Sequence, residues 1–345
     1  MIRDEEDYQD LVPRVRPNKR GSKPRSKLRP KHEDASPGFV IAVDRGRYRV
    51  VVGEGSDHEV LVTCSRASEL RSQAIVTGDR VDIVGDVSGE PGSLARIVRI
   101  HERSTVLRRS GDDTDTIERV IVANADQLLM VVAAANPEPR PRLIDRYIIA
   151  ALDAGITPIL VVTKTDLADP RALLDYAQAL DIACFTRSPD QPATDELLAA
   201  LAGHVTVAVG HSGVGKSTLV NDLVPGADRA VGDVNDVTGR GRHTSSSSQA
   251  LRLEGGGWVI DTPGVRSFGL GHVSTDSIIR GFPELEELVA SCPKACQHTA
   301  QTPECSLTKA IESDGLSADA AARVESLQRL MTTVSESGIG SDEAR

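Results

Sequence analysis

The sequence predicts a multidomain α/β protein. An N-terminal β-barrel of the OB type precedes a doubly wound parallel sheet that carries a phosphate-binding loop, and a zinc-binding helical domain follows. Three observations predict this. Short β-rich runs crowd residues 38–102; strand and helix patterns alternate around the run GHSGVGKST at 210–218; Cys292, Cys296, His298 and Cys305 cluster near the C-terminus. The expected boundaries are a tail at 1–36, a barrel at 37–102, the sheet domain at 103–271 and the metal domain at 272–345.

A chain of 345 residues can hold two or three domains, each with its own core. The N-terminus is acidic and polar, unlike a secretory leader, and the apolar stretches are too short to span a bilayer. A cytoplasmic protein without a membrane partner is expected, and nothing in the sequence calls for more than a monomer. Five cysteines, three of them between residues 292 and 305, favour a metal site in a reducing compartment over a disulfide framework. Net charge is −10, yet residues 11–32 hold nine Lys or Arg and no acid. Interleaved with Pro, Gly and Ser, this tail has almost nothing to bury and is expected to be disordered alone. Its one-signed charge suits an arm lying along RNA phosphates and releasing counterions.

The barrel is predicted from runs at 39–43, 48–52, 59–63, 80–84 and 94–98, separated by Gly-, Asp- and Ser-rich turns. Barrels of this kind bind single-stranded nucleic acid by aromatic stacking. Here Phe39 and Tyr48 are outnumbered by Arg45, Arg47, Arg49, Arg66, Arg71 and Arg80, so contact with the RNA backbone is expected more than stacking. A purely structural barrel is the alternative.

The sheet domain begins with a buried strand at 127–133, a helix at 143–152 and a strand at 157–163. The β-branched run at 205–209 leads into residues 210–218, which fit G-x-x-x-x-G-K-[ST], and an apolar stripe at helical spacing follows. That geometry aims backbone N–H groups at phosphate oxygens. Gly210, Gly213 and Gly215 let the backbone curl close, with His211, Ser212 and Val214 between them. Lys216 supplies a point charge to the phosphates, and Ser217, followed by Thr218, offers a hydroxyl to Mg²⁺.

The strand at 157–163 runs into Thr163, Lys164, Thr165 and Asp166. Guanine presents two adjacent donors, N1–H and the exocyclic amine, and one carboxylate accepts both, whereas adenine offers no such pair. Asp166 therefore reads guanine, and the Lys164 stem covers the base. This resembles the N-K-x-D element of GTPases, with Thr163 where Asn usually braces the loop. Farther on, Asp261-Thr-Pro-Gly264 resembles the D-x-x-G element, whose Asp supports Mg²⁺ and whose Gly senses the γ-phosphate. The base-reading element precedes the phosphate loop, whereas ordinary GTPases place it after; a circular permutation is implied. A polar loop at 239–248 contains Thr244, the expected switch threonine that closes on Mg²⁺. Val265 stands where Ras-like proteins place a water-orienting Gln, which predicts slow intrinsic turnover. A substitute must come from elsewhere in the chain or from a partner; His243 is the candidate, an exposed loop histidine being the alternative. The fifth guanine-loop element falls at Thr186-Arg187-Ser188 and matches the usual S-A loosely.

Cys292, Cys296, His298 and Cys305 make a Cys₃His set with every tetrahedral position filled, the signature of a structural zinc site. Helices are expected at 278–289, 307–312 and 318–331; Cys64 and Cys184 sit in apolar strands and are read as core residues.

Taken together in this order, the parts resemble the circularly permuted bacterial GTPases of the RsgA/YjeQ type over residues 37–335. The resemblance implies a GTP hydrolase with Mg²⁺ and one structural Zn²⁺, acting as a switch late in maturation of the small ribosomal subunit. It implies guanine binding at Thr163, Lys164 and Asp166, phosphate binding at residues 210–218, and zinc ligation by the four Cys and His residues. It also implies stimulation by the small subunit, with rRNA contacted by the barrel and zinc domain. The gap of three residues between Cys292 and Cys296 is shorter than the family's. Two rivals stand beside this reading. An ATP-using kinase would need a substrate-binding base that the polar loop does not supply. An RNA-binding assembly protein with the nucleotide site as a regulatory clamp sits poorly with intact Lys216, Ser217 and Asp261.

Overall fold

Each of the five β-rich runs forms a strand: β1 (Ser36–Asp44), β2 (Arg47–Val52), β3 (Val60–Arg66), β4 (Arg80–Gly85) and β5 (Ala95–Ile100). The computed structural model describes residues 32–110, 118–191, 194–225, 248–262, 268, 270, 273–313 and 315–336. The chain divides into two units, Met1–Asp34 and Ala35–Arg345, and the architecture here is that of the second. The basic tail predicted at residues 11–32 lies outside the described residues except for His32.

The strands close in the order β1-β2-β3-β5-β4, with β4 pairing back to β1. All pairs are antiparallel except β3–β5. Alternate side chains fill the interior: Val40, Val50, Val62, Val81, Ile83 and Ile97 are buried together. The period-two alternation sends Phe39, Ile41 and Val51 to the opposite side, into the core of the neighbouring sheet. Phe39 is fully buried and Tyr48 nearly so, so neither ring face is free for a base. Arg80 stacks on the Phe39 ring at 4.7 Å and pairs with Glu54.

A hairpin, β6 (Val106–Ser110) and β7 (Glu118–Ala123), connects barrel to sheet. Sequence periodicity did not reveal it, because arginines interrupt its apolar positions. The sheet then assembles β8 (Gln127–Ala133), β9 (Thr157–Thr163), β10 (Ala183–Arg187), β11 (Val205–Val209), β12 (Gln249–Arg252) and β13 (Trp258–Asp261). Their spatial order is β10-β9-β8-β11-β13-β12, parallel except for β12. Every residue of β8 is buried, as a parallel strand covered on both faces requires. Leu128, Met130 and Val132 face one core, and Leu129, Val131 and Ala133 face the other.

Helices α1 (Pro141–Ala154), α2 (Arg171–Gln178), α3 (Asp195–Leu201) and α4 (Lys216–Leu223) flank the sheet. Proline opens α1, where its missing N–H costs nothing, and Gly155 at φ 67° ends it. Strand β12 extends the sheet to the barrel through the pair Ala42↔Gln249. Trp258 donates its indole N–H to Glu54 at 2.5 Å and packs on Phe39 at 5.2 Å.

The C-terminal segment holds α5 (Thr275–Ile279), α6 (Glu286–Ala290), α7 (Ser306–Glu312) and α8 (Ala318–Glu336). The single helix expected at 278–289 is broken in two. Pro283 cannot donate to the helical ladder, and Phe282 before it sits at φ −133°, ψ 60°. Gly281 packs so closely that a Cβ would lie 2.7 Å from Leu152 of α1. Helix α8 is tied to the sheet domain through polar side chains. Tyr176 and Arg329 both donate to buried Asp145, and Arg329 stacks on Tyr176 at 4.3 Å. No helix among the described residues is long and apolar enough to cross a membrane.

Candidate nucleotide site and metal centre

The loop at 210–215 joins the end of β11, buried along its whole length, to α4, whose Leu219, Val220 and Leu223 pack against Leu129 and Val131. A Cβ at Gly210 would lie 2.6 Å from the Val131 carbonyl oxygen, so only glycine passes there. Gly213 and Gly215 adopt φ +83° and +90°, the left-handed region that side chains rarely enter. Gly215 caps α4 without a side-chain acceptor, which leaves the first-turn N–H groups to an external anion. Ser212, Ser217 and Thr218 are exposed along this rim, while Val214 is buried and anchors the loop. His211 is half-buried, its Nδ1 3.0 Å from the Ser212 carbonyl.

Lys216 and Asp261 meet as an ion pair between α4 and the end of β13. Thr262 is fully buried and donates its hydroxyl to the Ala208 carbonyl at 2.8 Å, which fixes the start of the D-x-x-G run. A cation and a carboxylate held side by side are the groups that phosphate and Mg²⁺ would engage respectively. Gly264, His243 and Thr244 lie outside the described residues, as does Val265.

The loop predicted to read the base leaves β9 beside the predicted phosphate loop. Thr163, which replaces the bracing Asn, donates its hydroxyl to the Val214 carbonyl at 2.5 Å, so the brace persists in a smaller form. Lys164 adopts φ 56° and donates Nζ to the Asn136 carbonyl in the loop after β8. Thr165 reaches the Arg187 carbonyl with its N–H at 3.5 Å and its hydroxyl at 3.4 Å, while Asp166 is exposed at the turn. Thr186 and Arg187 complete β10, and Ser188 bridges to Gln191 rather than entering a helix. Nothing in the sequence signals the partner of the Arg187 side chain, which is Asp222 of α4.

The four predicted metal ligands converge, with all ligand atoms within 4.8 Å of one another. Cys292 and Cys305 place their sulfurs 3.8 Å apart, the separation of about 3.8 Å that two thiolates on one tetrahedral zinc would have. Cys305 Sγ is 4.0 Å from His298 Nδ1. Ala295 and His298, at φ 60° and 54°, turn the chain so that ligands from the α6–α7 connection face inward. The donor set therefore fits a structural zinc ion. Burial raises the Cys292 thiol, but the Ser306 N–H at 3.3 Å and the neighbouring thiols outweigh it and bring the group below its ordinary value. Burial pushes Cys296 up to about 11. Away from this cluster, burial raises Cys64 to about 12 and Cys184 to about 11, the chemistry of inert core thiols.

The strand order puts β11 between β13 and β8, although β8 precedes both in sequence. Together with a T-K-T-D run at 163–166 that precedes the G-x-x-x-x-G-K-S-T run at 210–218, this is the arrangement of a circularly permuted P-loop GTPase. The RsgA GTPase family model matches residues 100–271. The small ribosomal subunit biogenesis GTPase RsgA of Pseudomonas aeruginosa (strain LESB58) is 42% identical over 247 residues, covering 69% of this chain and 70% of its own. The protein of the same name from Pseudomonas syringae pv. tomato is 38% identical over 283 residues, 80% of each chain. The chain belongs to the RsgA GTPase family. Its fold is shared by YjeQ from Thermotoga maritima, with TM-score 0.63 and 24% identity over 86% of this chain and 98% of that one. It is shared equally by YloQ, a circularly permuted GTPase, with TM-score 0.62 and 21% identity over 90% and 98%.

Proposed function

We propose that the protein hydrolyses GTP as a switch in late maturation of the small ribosomal subunit; its relatives are named small ribosomal subunit biogenesis GTPases. The observation that supports it most is the contact of the two loops at the carboxyl ends of β9 and β11, through Thr163 and Val214. Asp166 accepts the two guanine donors, the Lys164 stem covers the base, and the N–H groups of residues 210–218 hold the phosphates. Lys216 meets the charge that develops on the γ-phosphate. Ser217, Thr244 and Asp261 would hold Mg²⁺, which would supply further neutralisation of that charge. His243 orients the attacking water in place of the missing Gln, completed by the bound subunit.

The five-strand barrel is read as the OB type, and it contacts rRNA together with the zinc domain and the basic tail of a cytoplasmic monomer. Zinc held by Cys292, Cys296, His298 and Cys305 is structural. The deciding experiment is GTP hydrolysis by the purified protein alone and with equimolar small subunits, large subunits or bare RNA. A slow basal rate that rises by orders of magnitude only with small subunits is expected. A rate unchanged in every mixture overturns the switch and favours a binding clamp.

A further inference from the structure

The base-reading loop and the phosphate loop hang from different strands, β9 and β11, with β8 between them. A nucleotide that spans both loops gains affinity only when their spacing is held. The Thr163 hydroxyl is one tie. A second lies farther from the loops and joins different elements.

Arg187 ends β10 and is in register with Thr163 across the parallel β9–β10 pair. Its carbonyl receives the Thr165 N–H and hydroxyl, so the Arg187 backbone carries the base-reading loop. Its side chain turns toward the phosphate side: Nε donates to Asp222 Oδ2 at 2.7 Å. Asp222 belongs to α4, the helix that begins at Lys216. The two side chains are only 12% and 21% exposed, so the pair is held in one geometry and little screened by salt.

We infer that Arg187 and Asp222 form a positioning strut that fixes the base-reading loop against the phosphate-bearing helix and sets affinity for guanine nucleotides. The inference rests on the nucleotide-site reading above. It separates ligands by reach: GDP, which spans both loops, depends on the strut, whereas pyrophosphate, which engages the phosphate loop alone, does not.

The test compares Arg187→Ala, Asp222→Ala and the reversed pair Arg187→Asp with Asp222→Arg. A fluorescent GDP analogue gives Kd, displacement by pyrophosphate gives the single-loop affinity, and thermal melting checks the fold. Each alanine variant is expected to weaken GDP about tenfold, within the range of coupled contacts, with pyrophosphate unchanged and the reversed pair recovering most of the loss. Should an alanine variant not fold, Arg187→Gln and Asp222→Asn make the same comparison at nearly constant volume. Unchanged GDP affinity in folded variants, or an equal loss for pyrophosphate, overturns the strut. Failure of the unaltered protein to bind GDP overturns the site reading itself, and the strut with it.

Discussion

The Thr163 hydroxyl donates to the Val214 carbonyl at 2.5 Å and so joins the loop after β9 to the glycine-rich loop after β11. Both residues are buried, and the Val132 carbonyl lies 3.3 Å from the same hydroxyl, which has only one proton to give. The shorter bond takes it. Thr163→Val keeps the volume and leaves the Val214 carbonyl buried without that donor, a cost of about 1–3 kcal/mol. Thermal melting should register that loss, and GDP affinity should fall with it, whereas Thr163→Ser should keep both. A valine variant as stable and as tight as the original would show the bond to be idle.

Asp166 is exposed at the end of its loop, free to meet a base edge. Xanthine carries a carbonyl where guanine carries the exocyclic amine, and an Asn side chain offers an NH₂ to that carbonyl. Asp166→Asn should therefore lose preference for GDP and gain it for XDP in a competition assay. Retained GDP preference would place the base elsewhere.

Lys216 faces Asp261 across the phosphate loop. Lys216→Ala removes the cation that meets charge on the transferred phosphate, and hydrolysis should fall by about 10²–10³-fold. Single-turnover rates with saturating GTP separate this from weaker binding.

Glu54 joins barrel to sheet through Trp258 and Arg252, and pairs within the barrel with Arg80. Burial pushes its carboxyl up, but the Trp258 and Arg80 hydrogen bonds and the two arginine charges outweigh this and leave it below the ordinary glutamate value. A lowered folded value means that the unfolded chain binds its proton first as pH falls. The Glu54 contribution is thus fully present above the unfolded value, about 4.3, and is lost as pH falls through the lower folded value. Trp258 is the chain's one tryptophan, so its fluorescence reports this junction directly. Acid titration should show a transition below the ordinary glutamate range that Glu54→Gln removes. An identical curve in the variant would assign the transition to another group.

At the metal centre, Cys296 is a thiol at neutral pH without metal, pushed up to about 11 by burial. Zinc binding must therefore release protons, and affinity should rise with pH. Chelation or Cys305→Ser should lower the melting temperature, because Cys305, fully buried, packs into the same core as Leu307 and Leu327. Circular dichroism with and without chelator checks it, and an unchanged melt would make the cluster a set of ordinary buried thiols.

Much of this molecule was written in local patterns. A parallel strand covered on both faces is mostly apolar and β-branched, so 127–133, 157–163 and 205–209 are bounded to the residue by their patterns. The glycine-rich loop is legible because backbone curvature demands glycine at fixed offsets, and the Cys₃His cluster because few residue types can ligate a metal. The helix break at Gly281–Pro283 has a local signal as well, a proline set inside an apolar stripe at helical spacing.

What the tertiary structure alone decided are the relationships between elements distant in sequence. Thr163 with Val214, Arg187 with Asp222, Glu54 with Trp258 and Asp145 with Arg329 are each formed across different elements. Sequence specifies each residue's own conformation through sterics and burial period, which are local. Which charge meets which is set by strand order and helix packing, and a lone Asp on a helix face such as Asp222 gives no sign of its partner until the sheet has closed.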